Sequence, residues 1–244
     1  MTNFKNQSSF YLRTLLHCSL VLGLMITSLE AQTTEYYGAL HSVMKGNIIA
    51  NFDLRELENK THVYGIGAVE NLKGEIIVID SVPYISSVDD SSLLISKKLD
   101  TKAALFVYKE VAQWQEIKPD SIPVSLSDLE KELGQLFETG QHQKLQPVVF
   151  MLKGWVKSLS WHVIDWPAAD SIHTHKKHKE AGLHGKIEDR DVTIVGFYTN
   201  NHQGIITHRN STLHLHFVTE DKKLAGHVDN LYLDADMNFY TEAE

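Results

Sequence analysis

Ser211-Thr-Leu-His-Leu-His-Phe-Val-Thr-Glu-Asp-Lys-Lys-Leu-Ala-Gly-His227 carries the clearest structural signal in the chain. His214 and His216 alternate with Leu213, Leu215 and Phe217, and a period of two residues is that of a strand with two distinct faces. The spacing places both imidazoles on one side and the apolar residues on the other. The polar run Glu220-Asp-Lys-Lys223 predicts a turn that folds the chain back, so that His227 joins the pair from the next strand. Three neutral imidazoles on adjacent strands suit a first-row metal, zinc foremost, with a position left open for substrate. The same pattern also reads as polar residues on a solvated strand face.

Upstream, Val192 to Tyr198 predicts a strong strand, and the loop 199–210 leads from it into the histidine strand. Pro147-Val-Val-Phe-Met-Leu-Lys153 is another strand, followed by Gly154 and the run Trp155 to His162. Between these lies Ile172-His-Thr-His-Lys-Lys-His-Lys-Glu-Ala-Gly-Leu-His184. Its lysines and its lack of strand periodicity predict a mobile surface loop, with a second metal site as the alternative. Leu126, Leu129, Leu133, Leu136 and Phe137 recur at helical spacing. Ser127-x-x-Glu130 has the form of a capping box, and Gly140 is a fitting stop.

Nearer the N-terminus, Thr61 to Glu70 reads as a strand, Asn71-Leu-Lys-Gly74 as its turn, and Ile76-Ile-Val-Ile-Asp80 as a buried strand. Glu75 opens that second strand. The small residues Gly65, Gly67 and Ala68 allow close approach by a backbone or a ligand. Gly65-Ile-Gly67 lacks the rest of a dinucleotide fingerprint. Further strands are expected at Pro83–Ser86, Ala103–Tyr108 and Ala112–Ile117, while residues 47–57 fit a helix or a strand. His41 stands alone and reads as structural.

The first 31 residues have the form of a secretory signal. Lys5 and Arg13 precede an apolar run from Leu15 to Ile26, and Ser28-Leu-Glu-Ala31 offers a cleavage site. The run is short for a membrane span, an uncleaved anchor being the alternative. Cys18, the only cysteine, lies inside it, and the preceding His17 argues against lipidation. The expected mature chain, residues 32–244, therefore has neither disulfides nor thiol chemistry and is exported to the periplasm or the medium. It is long enough for one domain or two closely packed halves. The net charge of −8 becomes more negative once Lys5, Arg13 and Glu30 are removed, which gives no electrostatic case for nucleic acid. No membrane partner is expected after cleavage.

Tyr64-Gly-Ile-Gly-Ala-Val-Glu-Asn-Leu-Lys-Gly-Glu75, Gly154-Trp-Val156, Ile194-Val-Gly-Phe197, His214-Leu-His-Phe217 and Gly226-His-Val228 together resemble the acetolactate decarboxylase family, in order and through nearly all of residues 32–244. The resemblance implies an α/β fold of mixed β-sheets with few helices, a zinc ion, a homodimer, and removal of carbon dioxide from 2-acetolactate, a 2-hydroxy-3-oxo acid, to give acetoin. It implies His214, His216 and His227 as metal ligands and Glu75 as an active-site carboxylate. Two positions depart from the family pattern. Ala68 stands where the family has a threonine, and His162 where counting from Gly154 places the family's arginine. Arg190 or Arg209 could approach the site in its stead. Glu242 and Glu244 have no secure counterpart to the glutamate that the family draws from a longer C-terminus.

Zinc chelated by the substrate's hydroxyl and ketone oxygens would take up the charge left as carbon dioxide departs. Glu75 could hold a proton there, and His162 could donate one hydrogen bond or a proton to substrate. A divergent exported relative acting on, or binding, another small hydroxy or keto ligand is the second expectation. A third is a cupin-like metal strand built from His214, His216 and Glu220.

Overall fold

The period-two segments pair into two antiparallel sheets, and the histidine strand lies in the second of them, facing the first. The computed structural model describes residues 33–119, 123–138 and 147–243; the expected signal at 1–31 lies outside them. The first sheet contains β1 (Glu35–Tyr37), β2 (Phe52–Asp53), β3 (Val63–Val69), β4 (Glu75–Ile79), β5 (Val82–Asp89), β6 (Ser92–Ser96) and β7 (Lys102–Glu110). Its order is β1-β7-β3-β4-β5-β6, with β2 also against β7. The second contains β8 (Trp114–Ile117), β9 (Val148–Ile164), β10 (Gly182–Tyr198), β11 (Leu213–Thr219), β12 (Ala225–Leu233) and β13 (Asn238–Glu242). Its order is β10-β11-β12-β9-β13-β8, and a further pairing of β10 with β9 closes four strands on themselves. The described α-helices are α1 (Leu40–Val43), α2 (Leu126–Phe137) and α3 (His175–Glu180). The chain thus adopts a sheet-rich α/β fold with few helices.

Alternation along β11 decides how the layers stack. Leu213, Leu215 and Phe217 pack beneath α2, against Leu129, Leu133 and Phe137. On the opposite face Val218, with Val195 and Phe197 of β10, meets Tyr64, Ile66 and Ile77 of the first sheet. Each fully buried Leu or Phe stabilises by roughly 1.5–3 kcal/mol, so a one-residue slip of β11 would forfeit both sets of contacts. The histidine face is therefore an interior face, with His216 buried, and not a solvated one.

The long β9–β10 hairpin carries a phase change. Asp189 takes φ 46°, and it and Lys157 of β9 are both skipped in the pairing, so that on β9 Phe150 and Leu152 before Lys157, and Leu159 and Trp161 beyond it, enter one core. His162, next to Trp161, is thereby turned to the other side, toward the first sheet.

Three local expectations change. The capping box of α2 is formed by Ser125 and Asp128, not by Ser127 and Glu130: Ser125 Oγ accepts from the Asp128 N–H, and Asp128 Oδ2 accepts from the Ser125 N–H. The helix ends at Phe137, and Gly140 lies outside the described residues. Residues 47–57, which fit either a helix or a strand, contain the two-residue β2 followed by a 3-10 turn, Leu54–Leu57, capped by Asp53.

Residues 172–184 lie largely at the surface, but from His175 onward they are not a loop. Thr174 caps α3 by accepting from the Lys177 N–H, and Gly182 already begins β10. His173 stacks on Trp166 at 4.5 Å between ring centroids, and His178 meets the same indole edge-on at 4.7 Å. The segment is held because its imidazoles pack as flat rings, while Lys176 stays exposed.

Candidate metal centre

Gly74 sets the first wall of the site. Its φ of 150° and the Ser86 carbonyl, 2.1 Å from where a Cβ would stand, admit only glycine. This turn delivers Glu75 to the head of β4 with 5% of its surface exposed. The second sheet supplies the other wall. His216 on β11 pairs with His227 on β12, which in turn pairs with His162 on β9, so three imidazoles share one cross-strand row. His214 joins them from two residues before His216.

Three nitrogens converge. His214 Nε2 lies 3.2 Å from His216 Nε2, and His227 Nδ1 lies 3.3 Å from that same atom. Metal–nitrogen bonds of about 2.0–2.1 Å at tetrahedral angles would separate neighbouring ligand atoms by about 3.3–3.4 Å. His214 Nδ1–H donates to the Ile206 carbonyl at 2.8 Å, which leaves Nε2 with its lone pair toward the cluster. His216 Nδ1 lies beside the Ile76 backbone, short of a full hydrogen bond, and is buried without a formal partner. Burial, followed by the neighbouring imidazoles, pushes His214 down to about 3 and His216 and His227 well below their ordinary value. All three are neutral at pH 7, the form that binds metal. The residues present fit a metal ion.

Glu75 faces this cluster from the other sheet. Its Oε2 is 3.7 Å from His216 Nε2 and its Oε1 is 3.8 Å from His162 Nε2. Burial pushes its carboxyl up to about 7, against the lowering effects of His162 and the Ile164 backbone. His162 Nδ1–H donates to Asp229 Oδ2 at 3.0 Å. Burial alone would lower the His162 pKa, but this bond and the nearby carboxylates outweigh it and the net shift is upward. Lys179 Nζ reaches the other Asp229 oxygen at 3.0 Å. His162, His227 and Asp229 also form a possible metal-ligand group. With Asp229 already neutralised by an ammonium and an imidazole, we read that group as a hydrogen-bonded chain.

Glu75, His162, Lys179, His214 and His227 line a cavity of about 70 Å³, room for roughly five water-sized groups. Ala68, Leu105 and Ile206 form part of its apolar wall, and His175, His178 and His208 add three further imidazoles to its lining. Arg209 is exposed and lines a neighbouring groove, and Arg190 is exposed on β10. Neither reaches the cavity. Glu220 is exposed at the β11–β12 turn, 3.6 Å from Lys222, which removes the cupin-like arrangement. Glu242 is paired with the buried Lys109 and ties β13 to β7; Glu244 lies outside the described residues.

Asp229 and Lys179 were not singled out by sequence. His227-x-Asp229 has the same two-residue spacing as His214-x-His216, which is a signal for Asp229. Lys179 gives no such signal, because its position depends on the packing of α3 against Trp166.

The fold and site define a sheet-rich α/β protein with a candidate metal centre at a small-molecule cavity. The family model described as alpha-acetolactate decarboxylase matches residues 36–242, and the chain belongs to that family. The alpha-acetolactate decarboxylase of Brevibacillus brevis is 25% identical over 203 residues, covering 81% of this chain and 66% of that protein, so this chain spans about two thirds of its relative's length. A crystal structure of acetolactate decarboxylase from Bacillus subtilis subspecies spizizenii superposes with a TM-score of 0.67 at 18% identity, covering 87% of each chain. A Staphylococcus aureus protein described as similar to alpha-acetolactate decarboxylase gives 0.64 at 17% identity, covering 86% of this chain and 84% of its own. These two likenesses concern the fold.

Proposed function

We propose that residues 32–244 form a zinc enzyme that converts 2-acetolactate to acetoin and carbon dioxide, following export directed by residues 1–31. The observation that carries this reading is the convergence of His214, His216 and His227 within 3.2–3.3 Å contacts, faced by the buried Glu75. The three histidines would hold zinc, which when bound supplies a Lewis acid for the substrate's ketone.

The chain's own residues do the rest. The apolar wall at Leu105 and Ile206 keeps water from the reacting carbon. As the carboxylate leaves, its bonding electrons remain on the substrate, and one proton must then be added to that carbon. Glu75, lifted to about 7, carries a proton in part of the population at neutral pH and is the group placed to give it. His162, fixed by Asp229, faces the far oxygen of Glu75 at 3.8 Å and favours its charged form.

A second reading has a specific observation behind it. No arginine lines the cavity among the described residues, and Ala68 offers no hydroxyl. A different small hydroxy or keto ligand would then occupy the same centre. Incubation of the zinc-loaded protein with 2-acetolactate separates the two: acetoin release supports the decarboxylase, and none at saturating zinc removes it.

A further inference from the structure

We propose that Lys179, carried by the histidine-rich helix α3, is the cation that binds the carboxylate of the substrate. This rests on the reading of the ligand as a 2-hydroxy-3-oxo acid. Such a ligand brings a full negative charge into a cavity walled largely by apolar side chains, where a carboxylate is strongly disfavoured unless a cation answers it. His162 is poorly placed to do so, since Nδ1 is bound to Asp229 and Nε2 faces Glu75. Among the described residues that line the cavity, Lys179 is the only lysine or arginine.

Its position suits the task. Lys179 Nζ is 3.0 Å from Asp229 Oδ1, and an Asp229 oxygen lies within 4.8 Å of a His227 nitrogen. The ammonium is therefore linked to the imidazole cluster through Asp229, and Lys179, His214 and His227 line the same cavity. An ammonium has three donors; one is used by Asp229, which leaves two for an incoming carboxylate. Asp229 also tempers the charge. A carboxylate that must lose its charge as it departs should not be held too tightly in the ground state, because that would raise the barrier.

The helix that presents Lys179 is anchored by the neighbouring ring of His178, with His173 just before the helix, on Trp166. The lysine side chain is 40% exposed, so it stands at the mouth of the cavity, where a ligand arrives. Substitution at 179 thus leaves the anchoring rings in place.

Binding of two probes to the zinc-loaded protein tests the proposal by calorimetry: 2-hydroxyisobutyrate, which carries the carboxylate, and acetoin, which does not. Lys179→Met should weaken the acid by about tenfold or more and leave acetoin within about twofold, while Lys179→Arg should retain most of the affinity for the acid. Equal loss of both probes, unchanged affinity for the acid, or no binding of the acid by the unaltered protein would overturn the assignment. Failure of the decarboxylase reading looks different: the unaltered protein releases no acetoin from acetolactate, yet Lys179→Met still loses the acid selectively.

Discussion

Glu75 and His216 meet across the two sheets, with Glu75 Oε2 3.7 Å from His216 Nε2, although one heads β4 and the other lies within β11. Each is buried; the Glu75 carboxyl looks to the opposite sheet, and His216 Nδ1 is left without a formal partner. A carboxylate held in this way is costly to the fold unless it serves a cation or a proton. The relationship makes the site a property of the packed sheets and not of either hairpin.

Replacement of Glu75 by glutamine keeps the volume and removes the exchangeable proton. Glu75→Gln should lower kcat for acetoin formation by about 10²–10⁴-fold and leave zinc content unchanged. Steady-state kinetics paired with metal analysis measures both; activity within a few-fold of the unaltered enzyme would remove Glu75 from the chemistry.

Asp229 accepts from His162 and from Lys179. Asp229→Asn removes the charge that both cations face, and the expected loss of stability is about 1–3 kcal/mol. Urea denaturation of the zinc-loaded protein reads this directly. A midpoint equal to that of the unaltered protein would show that the chain Lys179–Asp229–His162 contributes nothing to the fold.

Burial, then the charges of neighbouring histidines, pushes His178 down to about 4. In the unfolded chain it titrates near the ordinary value of about 6.5. Between those values the unfolded state binds a proton that the folded state refuses, so its contribution to stability is full above pH 6.5 and is lost as pH falls toward 4. His178→Phe keeps a flat ring on Trp166. In metal-stripped protein it should flatten the fall of the urea midpoint over that range without abolishing it, since His208 is also held near 4. Identical slopes would contradict this.

Much of this was legible in the chain because it depends on short-range periodicity. The alternation of Leu213 to Phe217, the helical spacing from Leu126 to Phe137 and the glycine turn before Glu75 each predict the element that forms. What was hidden depends on tertiary packing. β6, with its run Ser92-Leu-Leu-Ile-Ser96, has Leu93 partly buried and Leu94 exposed beside β5, and its three consecutive apolar residues give no clean alternation in sequence. The capping box shifts by two residues because Ser125, also paired in a bridge with Tyr232, is the residue held in extended geometry. Residues 172–184 look like a polar loop until Trp166, several positions upstream, supplies the surface on which their rings pack. That Glu75 faces His216 follows from no spacing in the sequence and entered only through resemblance to a family.

The most direct measurement strips the protein of metal and follows acetoin release from 2-acetolactate as zinc is titrated back. The account predicts no release without metal, a rise that saturates near one zinc per chain, and neither zinc binding nor release in the His214→Ala, His227→Ala double variant. No acetoin at saturating zinc, equal release from metal-free protein, or stoichiometric zinc in the double variant would contradict it.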